Sequence, residues 1–171
     1  MEWLDVYTPQ HERSGRRIRR DEAVTGEDRL LVVHVCLFDG ENRLLLQQRQ
    51  PWKDRYPGCW DLSAGGFARS GEDSPGAALR ELEEELGLAL PREALRFLFT
   101  APFSYVLDDF YLARTNLRPE DLRLQAEEVS RVRWAAWPET ARMLADGSFV
   151  DYAPELIARV YRAAAQGKKG R

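Results

Sequence analysis

The sequence predicts an α+β fold in which helices pack against a β-sheet. Three observations predict it: a nine-residue apolar run at 30–38, several shorter segments rich in apolar and aromatic residues, and only three helical segments. Many strands with few, separated helices are typical of a sheet that carries its helices on its faces. The length of 171 residues suits one domain with its own core.

The predicted strands follow one another along most of the chain. They are expected at 2–7, 15–20, 30–38, 43–48, 60–64, 95–100, 104–113 and 129–135. The first two predict a β-hairpin in an N-terminal extension, residues 1–28, packed on a main domain, residues 29–171. Pro51, Pro57 and Gly58 indicate a loop between two strands, and Asp108-Asp109 is interpreted as a turn.

The clearest helix begins near Ser74, which suits the N-cap position, and Pro75, which suits the first helical position. Gly87 is expected to end it. Two further helices are predicted at 138–145 and 154–165.

Composition and charge exclude several classes of protein. The apolar run is far shorter than the roughly 20 residues of a membrane span, and no signal peptide is visible at the N-terminus. Two cysteines give no disulfide framework and indicate a reducing, cytoplasmic location. A net charge of −3 argues against a general nucleic-acid-binding protein. The sequence leaves the oligomeric state open.

Three carboxylates occupy one face of the predicted helix. At about 100° per residue, Glu81, Glu84 and Glu85 share an arc about 100° wide, while Leu82 and Leu86 lie beside it. Like charges at this spacing repel each other, and a hard divalent cation such as Mg²⁺ or Mn²⁺ would offset that repulsion. A solvated, Glu-rich surface helix is the alternative.

The spacing around these carboxylates decides between the two interpretations. Gly66 is followed after five residues by Glu72, and after seven more by the segment RELEEELGL at 80–88. This pattern resembles the complete Nudix box, GX5EX7REUXEEXGU, in which U is aliphatic. The resemblance implies an α/β/α sandwich around a mixed β-sheet. It also implies Mg²⁺- or Mn²⁺-dependent hydrolysis of a diphosphate linked to another moiety.

The same resemblance implies roles for individual residues. Glu81, Glu84 and Glu85 would be metal-binding, catalytic carboxylates, and the backbone carbonyl of Gly66 would be a further metal ligand. Arg80 would support catalysis by holding the loop and helix in place. The general base stays open among Glu81 and two later candidates, Glu127 and Glu128.

Basic residues outside the box are candidates for binding the substrate. Arg49 and Lys53 precede the box and suit a diphosphate; Arg19 is the member of an N-terminal arginine cluster that the resemblance favours. Five aromatic side chains could stack on a nucleobase: Trp52, Tyr56, Phe103, Tyr105 and Phe110. The expected substrate is therefore a small molecule: a nucleoside di- or triphosphate, or a related nucleoside diphosphate derivative.

Two alternatives remain. The segment 30–88 also resembles isopentenyl diphosphate isomerase, but Gly65 and Phe67 stand where the isomerase carries its catalytic cysteine and a metal-binding histidine. The other alternative is a catalytically idle Nudix module that binds a nucleotide. His34, inside an apolar strand, is interpreted as a core imidazole and Cys59 as a buried thiol.

Overall fold

The computed structural model describes residues 2–167, which form nine strands, three α-helices and two single-turn 3-10 helices at Arg92–Ala94 and Pro119–Asp121. The strands are β1 (Trp3–Tyr7), β2 (Arg13–Arg19), β3 (Leu30–Phe38), β4 (Leu44–Arg49), β5 (Trp60–Asp61), β6 (Ala64–Phe67), β7 (Arg96–Phe103), β8 (Val106–Arg114) and β9 (Val129–Ala135). The helices are α1 (Ser74–Leu86), α2 (Trp137–Asp146) and α3 (Pro154–Gln166). No helix in this part of the chain is long and apolar enough to cross a membrane.

The main sheet contains both parallel and antiparallel strand pairs, and β3 and β4 diverge from each other at its centre. β3 runs parallel to β8 over nine residue pairs, whereas β8 pairs with β7, and β4 with β9, in antiparallel fashion. β3 and β4 pair directly only at Phe38 and Leu44. The short strands β5 and β6 pair with β4 and β3 respectively. Residues 60–67 therefore lie between the diverging strands, immediately before the loop that leads to α1.

A layer of helix covers each face of this sheet. Val33 and Leu37 of β3 pack with Leu82 of α1, while Phe38 packs with Ile157 of α3 on the opposite face. The alternation of β3 side chains between the two faces produces both contacts. Burying each such side chain contributes about 1.5–3 kcal/mol. The predicted α/β/α sandwich around a mixed sheet is confirmed.

β1 and β2 form an antiparallel hairpin beside the main sheet. Leu4, Val6 and Ile18 are buried and pack with Leu30 at the start of β3. This satellite core places the N-terminal residues beside the loop that follows β6. The structure begins at residue 2, so Met1 of the predicted 1–28 extension, and residues 168–171 of the predicted main domain, lie outside the described residues.

The structure corrects two local predictions for α1 and the strand before it. Asp73, and not Ser74, caps the helix, because its carboxylate accepts a hydrogen bond from the backbone N–H of Gly76 at 2.9 Å. Gly87 ends the helix as predicted, with a left-handed φ of 65°. The single strand predicted at 60–64 is in fact two, β5 and β6, because each pairs with a different partner.

The predicted turn at Asp108-Asp109 is wrong. Both residues lie within β8, and their side chains point to opposite faces of the sheet. Asp109 is buried on the α1 face, where the hydroxyl of Thr100 donates to its carboxylate at 2.6 Å. Asp108 faces the other side and contacts His34. Acidic residues in a strand require such partners, and His34 is 74 residues away from Asp108 in the sequence.

Candidate active site

The three acidic residues of α1 differ in their exposure to solvent. The Glu84 side chain is 39% exposed and the Glu81 side chain 14%, and Glu85 is buried. The apolar side chains of α1 that pack against β3 fix this orientation. The exposure of the three carboxylates thus decreases from Glu84, which is solvated, through Glu81 to Glu85, which is enclosed between α1 and the sheet.

Glu85 has no cationic partner among the described residues. Its Oε2 accepts hydrogen bonds from the Gln47 amide at 2.9 Å and from the backbone N–H of Gly65 at 3.2 Å, and both donors are neutral. Burial, reinforced by the nearby Glu81 carboxylate, raises the pKa of Glu85 well above its ordinary value. A cation placed beside an enclosed carboxylate of this kind would stabilise its charged form.

Arg80 connects the helix to the loop that precedes it. Its Nε donates to Glu72 at 2.7 Å, one Nη donates to Glu81 at 2.7 Å, and the other Nη donates to the carbonyl of Phe67 at 3.0 Å. Although burial alone would lower the pKa of Arg80, the hydrogen bonds to Glu72 and Glu81 raise it. Arg80 therefore holds the loop and the helix in one arrangement.

A second arginine, Arg69, lies in the loop between β6 and α1. It contacts the acidic face of α1, which is formed by Glu81, Glu84 and Glu85. Its two Nη atoms lie 3.0 and 3.1 Å from the two carboxylate oxygens of Glu84. Its Nε donates to Glu2 at 2.9 Å, on the N-terminal side of β1. Sequence reasoning missed both Arg69 and Glu2. The only available signal was a basic residue at an unspecified position of the box.

Gly66 lies directly against the acidic face. A Cβ atom at this position would lie only 2.4 Å from Oε1 of Glu81. Because glycine has no side chain, the backbone of β6 and the Glu81 carboxylate can approach each other closely. This close approach is consistent with the predicted contribution of the Gly66 carbonyl to a metal site.

The residues of the acidic face fit a hard divalent cation by their chemistry. Carboxylate and carbonyl oxygens are the ligands that Mg²⁺ and Mn²⁺ prefer. Glu85 is a buried carboxylate for which the described part of the chain provides no counterion. Within residues 2–167, however, no three acidic, histidine or cysteine side chains are already arranged around a common point. Arg69 and Arg80 occupy oxygens of Glu84 and Glu81.

Two of the three predicted substrate-binding residues lie close together in the chain: Arg49 ends β4, and Lys53 lies in the loop that follows. Lys53 pairs with Glu128 at 2.5 Å, and Arg49 lies 3.5 Å from Asp61. These contacts join the loop after β4 to the start of β9 and to β5. Arg19 lies at the end of β2 in the N-terminal hairpin, where its guanidinium pairs with two nearby acids, Asp21 and Glu22. A substrate-binding role for Arg19 stays a prediction.

A second polar cluster lies on the α2/α3 face of the sheet. The Nε2 atom of His34 lies 3.0 Å from Oδ1 of Asp108, and the hydroxyl of Tyr152 donates to Asp61 at 2.9 Å. Burial raises the pKa of Asp61 despite the nearby His34 and Arg49. His34 is thus a partnered, mostly buried imidazole, as its interpretation as a core residue expected. The other members of the cluster were not identified from the sequence, and isolated polar residues in apolar strands were the only signal.

The isomerase position Gly65 offers little room for a side chain. A Cβ atom there would lie 2.7 Å from the carbonyl oxygen of Val33 and 3.1 Å from Nδ1 of His34. Since the first contact is with the backbone of β3, a cysteine would require the strands to shift. This geometry disfavours the isomerase alternative.

Comparisons with known proteins agree on one family. The family model described as the NUDIX domain matches residues 28–156. An uncharacterized Nudix hydrolase of Listeria monocytogenes is 36% identical over 152 residues, which cover 89% of this chain and 90% of that protein.

Solved structures share the fold. A crystal structure of a Deinococcus radiodurans protein is similar with a TM-score of 0.78 and 26% identity, covering 92% of this chain and 98% of that one. The NUDIX domain of NrtR from Shewanella oneidensis, solved with ADP ribose, gives a TM-score of 0.65 at 22% identity, with coverage of 84% and 92%. The second likeness supports the fold alone.

Proposed function

The chain belongs to the Nudix hydrolase family, and on this premise we propose that it is a Mg²⁺- or Mn²⁺-dependent pyrophosphohydrolase. Its proposed substrates are nucleoside di- and triphosphates or related nucleoside diphosphate derivatives. A cytoplasmic location belongs to the same proposal and is supported by two free cysteines, Cys36 and Cys59.

One observation carries the metal-dependent part of the proposal. Glu85 is buried near Glu81, its hydrogen-bond donors among residues 2–167 are both neutral, and Gly66 lies against the Glu81 carboxylate. Bringing carboxylates together in a buried site costs free energy unless a cation is bound there. The proposed metal ligands are therefore Glu81, Glu84, Glu85 and the carbonyl of Gly66.

Each residue of the site then has a chemical task. A bound divalent cation polarises phosphoryl oxygens and lowers the pKa of a water molecule. Arg49 and Lys53 bind the negatively charged diphosphate and orient it towards α1. Arg80 keeps Glu72 and Glu81 in fixed positions through its hydrogen bonds.

Two carboxylates are suited to accept the proton of the attacking water. Glu81 lies within the acidic face, and Glu128 lies beside the predicted diphosphate residue Lys53. A pH–rate profile of Glu128→Gln separates them. If Glu128 is the base, the acidic limb of the profile disappears; if Glu81 is the base, the limb is retained.

Exposed aromatic side chains support the nucleoside part of the proposal. Trp52 and Tyr56, in the loop after β4, are 66% and 42% exposed, and Phe103 at the end of β7 is 69% exposed. Arg55 of the same loop reaches the hydroxyl of Tyr105 at 3.5 Å. These contacts bring two aromatic segments to one side of the molecule, where a base could stack. The ADP ribose bound by the NrtR domain is a ligand of the same class.

The decisive experiment is a substrate panel with Mg²⁺ or Mn²⁺ and product identification. It should contain nucleoside mono-, di- and triphosphates, sugar nucleotides and dinucleoside polyphosphates. Glu84→Gln and Glu85→Gln are expected to lose metal-dependent turnover, by about 100-fold or more, and to remain folded. Glu83→Gln is the matched control, because Glu83 is an exposed acid of the same helix with no role in the proposed site.

Other results would point to the alternatives. Normal turnover in both Glu84→Gln and Glu85→Gln would refute the proposed metal site. Isomerisation of isopentenyl diphosphate without phosphate release would favour the isomerase. Saturable nucleotide binding without turnover of any panel member would favour an idle module.

A further inference from the structure

Arg69 bridges two acidic residues that come from distant parts of the sequence. Its Nη atoms contact both oxygens of Glu84, at 3.0 and 3.1 Å, and its Nε donates to Glu2 at 2.9 Å. Paired contacts between a guanidinium and a carboxylate are among the stronger ion pairs at protein surfaces. Because Glu84 uses both oxygens in this pair, Arg69 and a metal ion compete for the same carboxylate.

The two arginines beside Glu84 are held differently. Arg80 contacts Glu84 through one Nη, and its other hydrogen bonds to Glu72 and Phe67 fix it in place. The guanidinium of Arg69 has only Glu2 and Glu84 as partners among residues 2–167. Arg69 is therefore the side chain that can leave Glu84 without breaking the loop.

Glu2 is placed to hold Arg69 after it leaves Glu84. The Glu2 side chain is 24% exposed, and it accepts from Arg69 through one oxygen and from Arg20 at 2.6 Å through the other. It stands on the N-terminal side of β1, which the buried residues of the hairpin fix beside the loop. A displaced guanidinium thus keeps one partner.

We propose that Arg69 is a displaceable competitor for the metal ion at Glu84, and that Glu2, acting through Arg69, sets the affinity of the site. This inference rests on the metal site proposed above. In the metal-free protein Arg69 neutralises Glu84. When the ion binds, Arg69 gives up Glu84 and remains on Glu2. The N-terminal hairpin thereby influences metal binding without providing a ligand.

Calorimetric titration with Mn²⁺ alone tests the inference without any substrate. Arg69→Gln is expected to bind Mn²⁺ about two- to fivefold more tightly, the range that an exposed ion pair supplies. Arg69→Lys keeps the charge but loses the paired contact, so its affinity is expected to be intermediate. Arg92→Gln is the matched control, because Arg92 pairs with Asp73 at the other end of α1 and the change in charge is the same.

Glu2→Gln is expected to weaken Mn²⁺ binding by about twofold, because Arg69 then loses one of the two carboxylates that it contacts and pairs more firmly with Glu84. In the double variant Glu2→Gln/Arg69→Gln this loss should largely disappear, since Glu2 acts through Arg69. All of these differences should shrink at high salt. Thermal melts of each variant confirm that it is folded.

The outcomes separate this inference from the proposed function. If the unaltered protein binds Mn²⁺ and Arg69→Gln binds it no more tightly than Arg92→Gln, the inference is wrong and the metal site stands. An undiminished loss on adding Glu2→Gln to Arg69→Gln would show that Glu2 does not act through Arg69. Absence of Mn²⁺ binding in the unaltered protein would overturn both the metal site and the inference.

Discussion

The two adjacent glycines of β6 should respond to alanine in opposite ways. At Gly66 the added Cβ would lie 2.4 Å from Oε1 of Glu81, whereas an ordinary contact begins at 3.4 Å. The carboxylate must therefore retreat by about 1 Å, and displacement of a catalytic group by that distance costs about 100-fold in rate. We expect Gly66→Ala to lower metal-dependent turnover by about 10- to 100-fold.

Stability should barely change in this variant. The atom that the new methyl group meets belongs to the end of a side chain, so the clash is relieved by a rotation of Glu81 that weakens its hydrogen bond from Arg80. Alanine also restricts the unfolded chain, which contributes about 0.4–1 kcal/mol to stability. The free energy of unfolding of Gly66→Ala should therefore stay within about 1 kcal/mol of that of the unaltered protein.

Gly65→Ala is the matched comparison. Its Cβ would lie 2.7 Å from the carbonyl oxygen of Val33, and the paired backbone of β3 cannot rotate away. Overpacking of this kind costs about 1–3 kcal/mol, which corresponds to a fall in melting temperature of about 2–12 °C for a domain of this size.

Thermal melts and turnover at saturating substrate and Mn²⁺, measured on both variants, test the reasoning. Full turnover in Gly66→Ala would show that the position of Glu81 does not limit catalysis. A melting temperature for Gly65→Ala equal to that of the unaltered protein would show that the strands separate more easily than the contact implies.

Two further predictions concern substrate binding and pH. Arg49→Ala should raise KM for the preferred diphosphate by about 10-fold with a smaller change in kcat, because one charge-assisted contact is lost. The Arg118 side chain is 78% exposed, pairs with Asp121 and has no role in the proposed site, so Arg118→Ala should leave the kinetics unchanged. An equal effect of both variants would contradict a specific role for Arg49. Burial alone would raise the pKa of Asp39, but hydrogen bonds from Arg43 and from the backbone N–H of Glu41 hold it below its ordinary value of 3.8. The stabilisation by Asp39 is therefore present above pH 3.8 and is lost as the pH falls through the lower folded-state pKa. Asp39→Asn should cost about 1 kcal/mol at pH 7 and progressively less in acid, as measured by urea unfolding; a difference that does not change with pH would refute this account.

Local signals in the sequence predicted most of the secondary structure. The apolar run at 30–38 coincides with β3, and Pro75 and Gly87 identify α1 because their backbone preferences match the two ends of a helix. The acidic face was predictable for the same reason, since helical periodicity relates Glu81, Glu84 and Glu85 without reference to any other element.

Contacts between distant segments were not predictable in this way. Asp108 lies 74 residues from His34 in the sequence, and the two meet only because β8 runs parallel to β3. Arg69 lies 67 residues from Glu2, and their contact depends on how the N-terminal hairpin docks. A single sequence shows how apolar and polar residues alternate along a strand, but it does not show which other strand pairs with it. Side-chain partners on different strands therefore stay undetermined until the fold is known.

The backbone of Gly65 lies between two polar groups on opposite faces of the sheet. Its backbone N–H points to Glu85 on one side, and the space where a side chain would stand faces the ring of His34 on the other. Glu85 on the α1 side and the His34–Asp108 pair on the other side are thus separated by the backbone of one residue. Asp61, which lies on the His34 side, already contributes to the raised pKa of Glu85. A change of charge on the His34 side should therefore alter the electrostatic potential at Glu85.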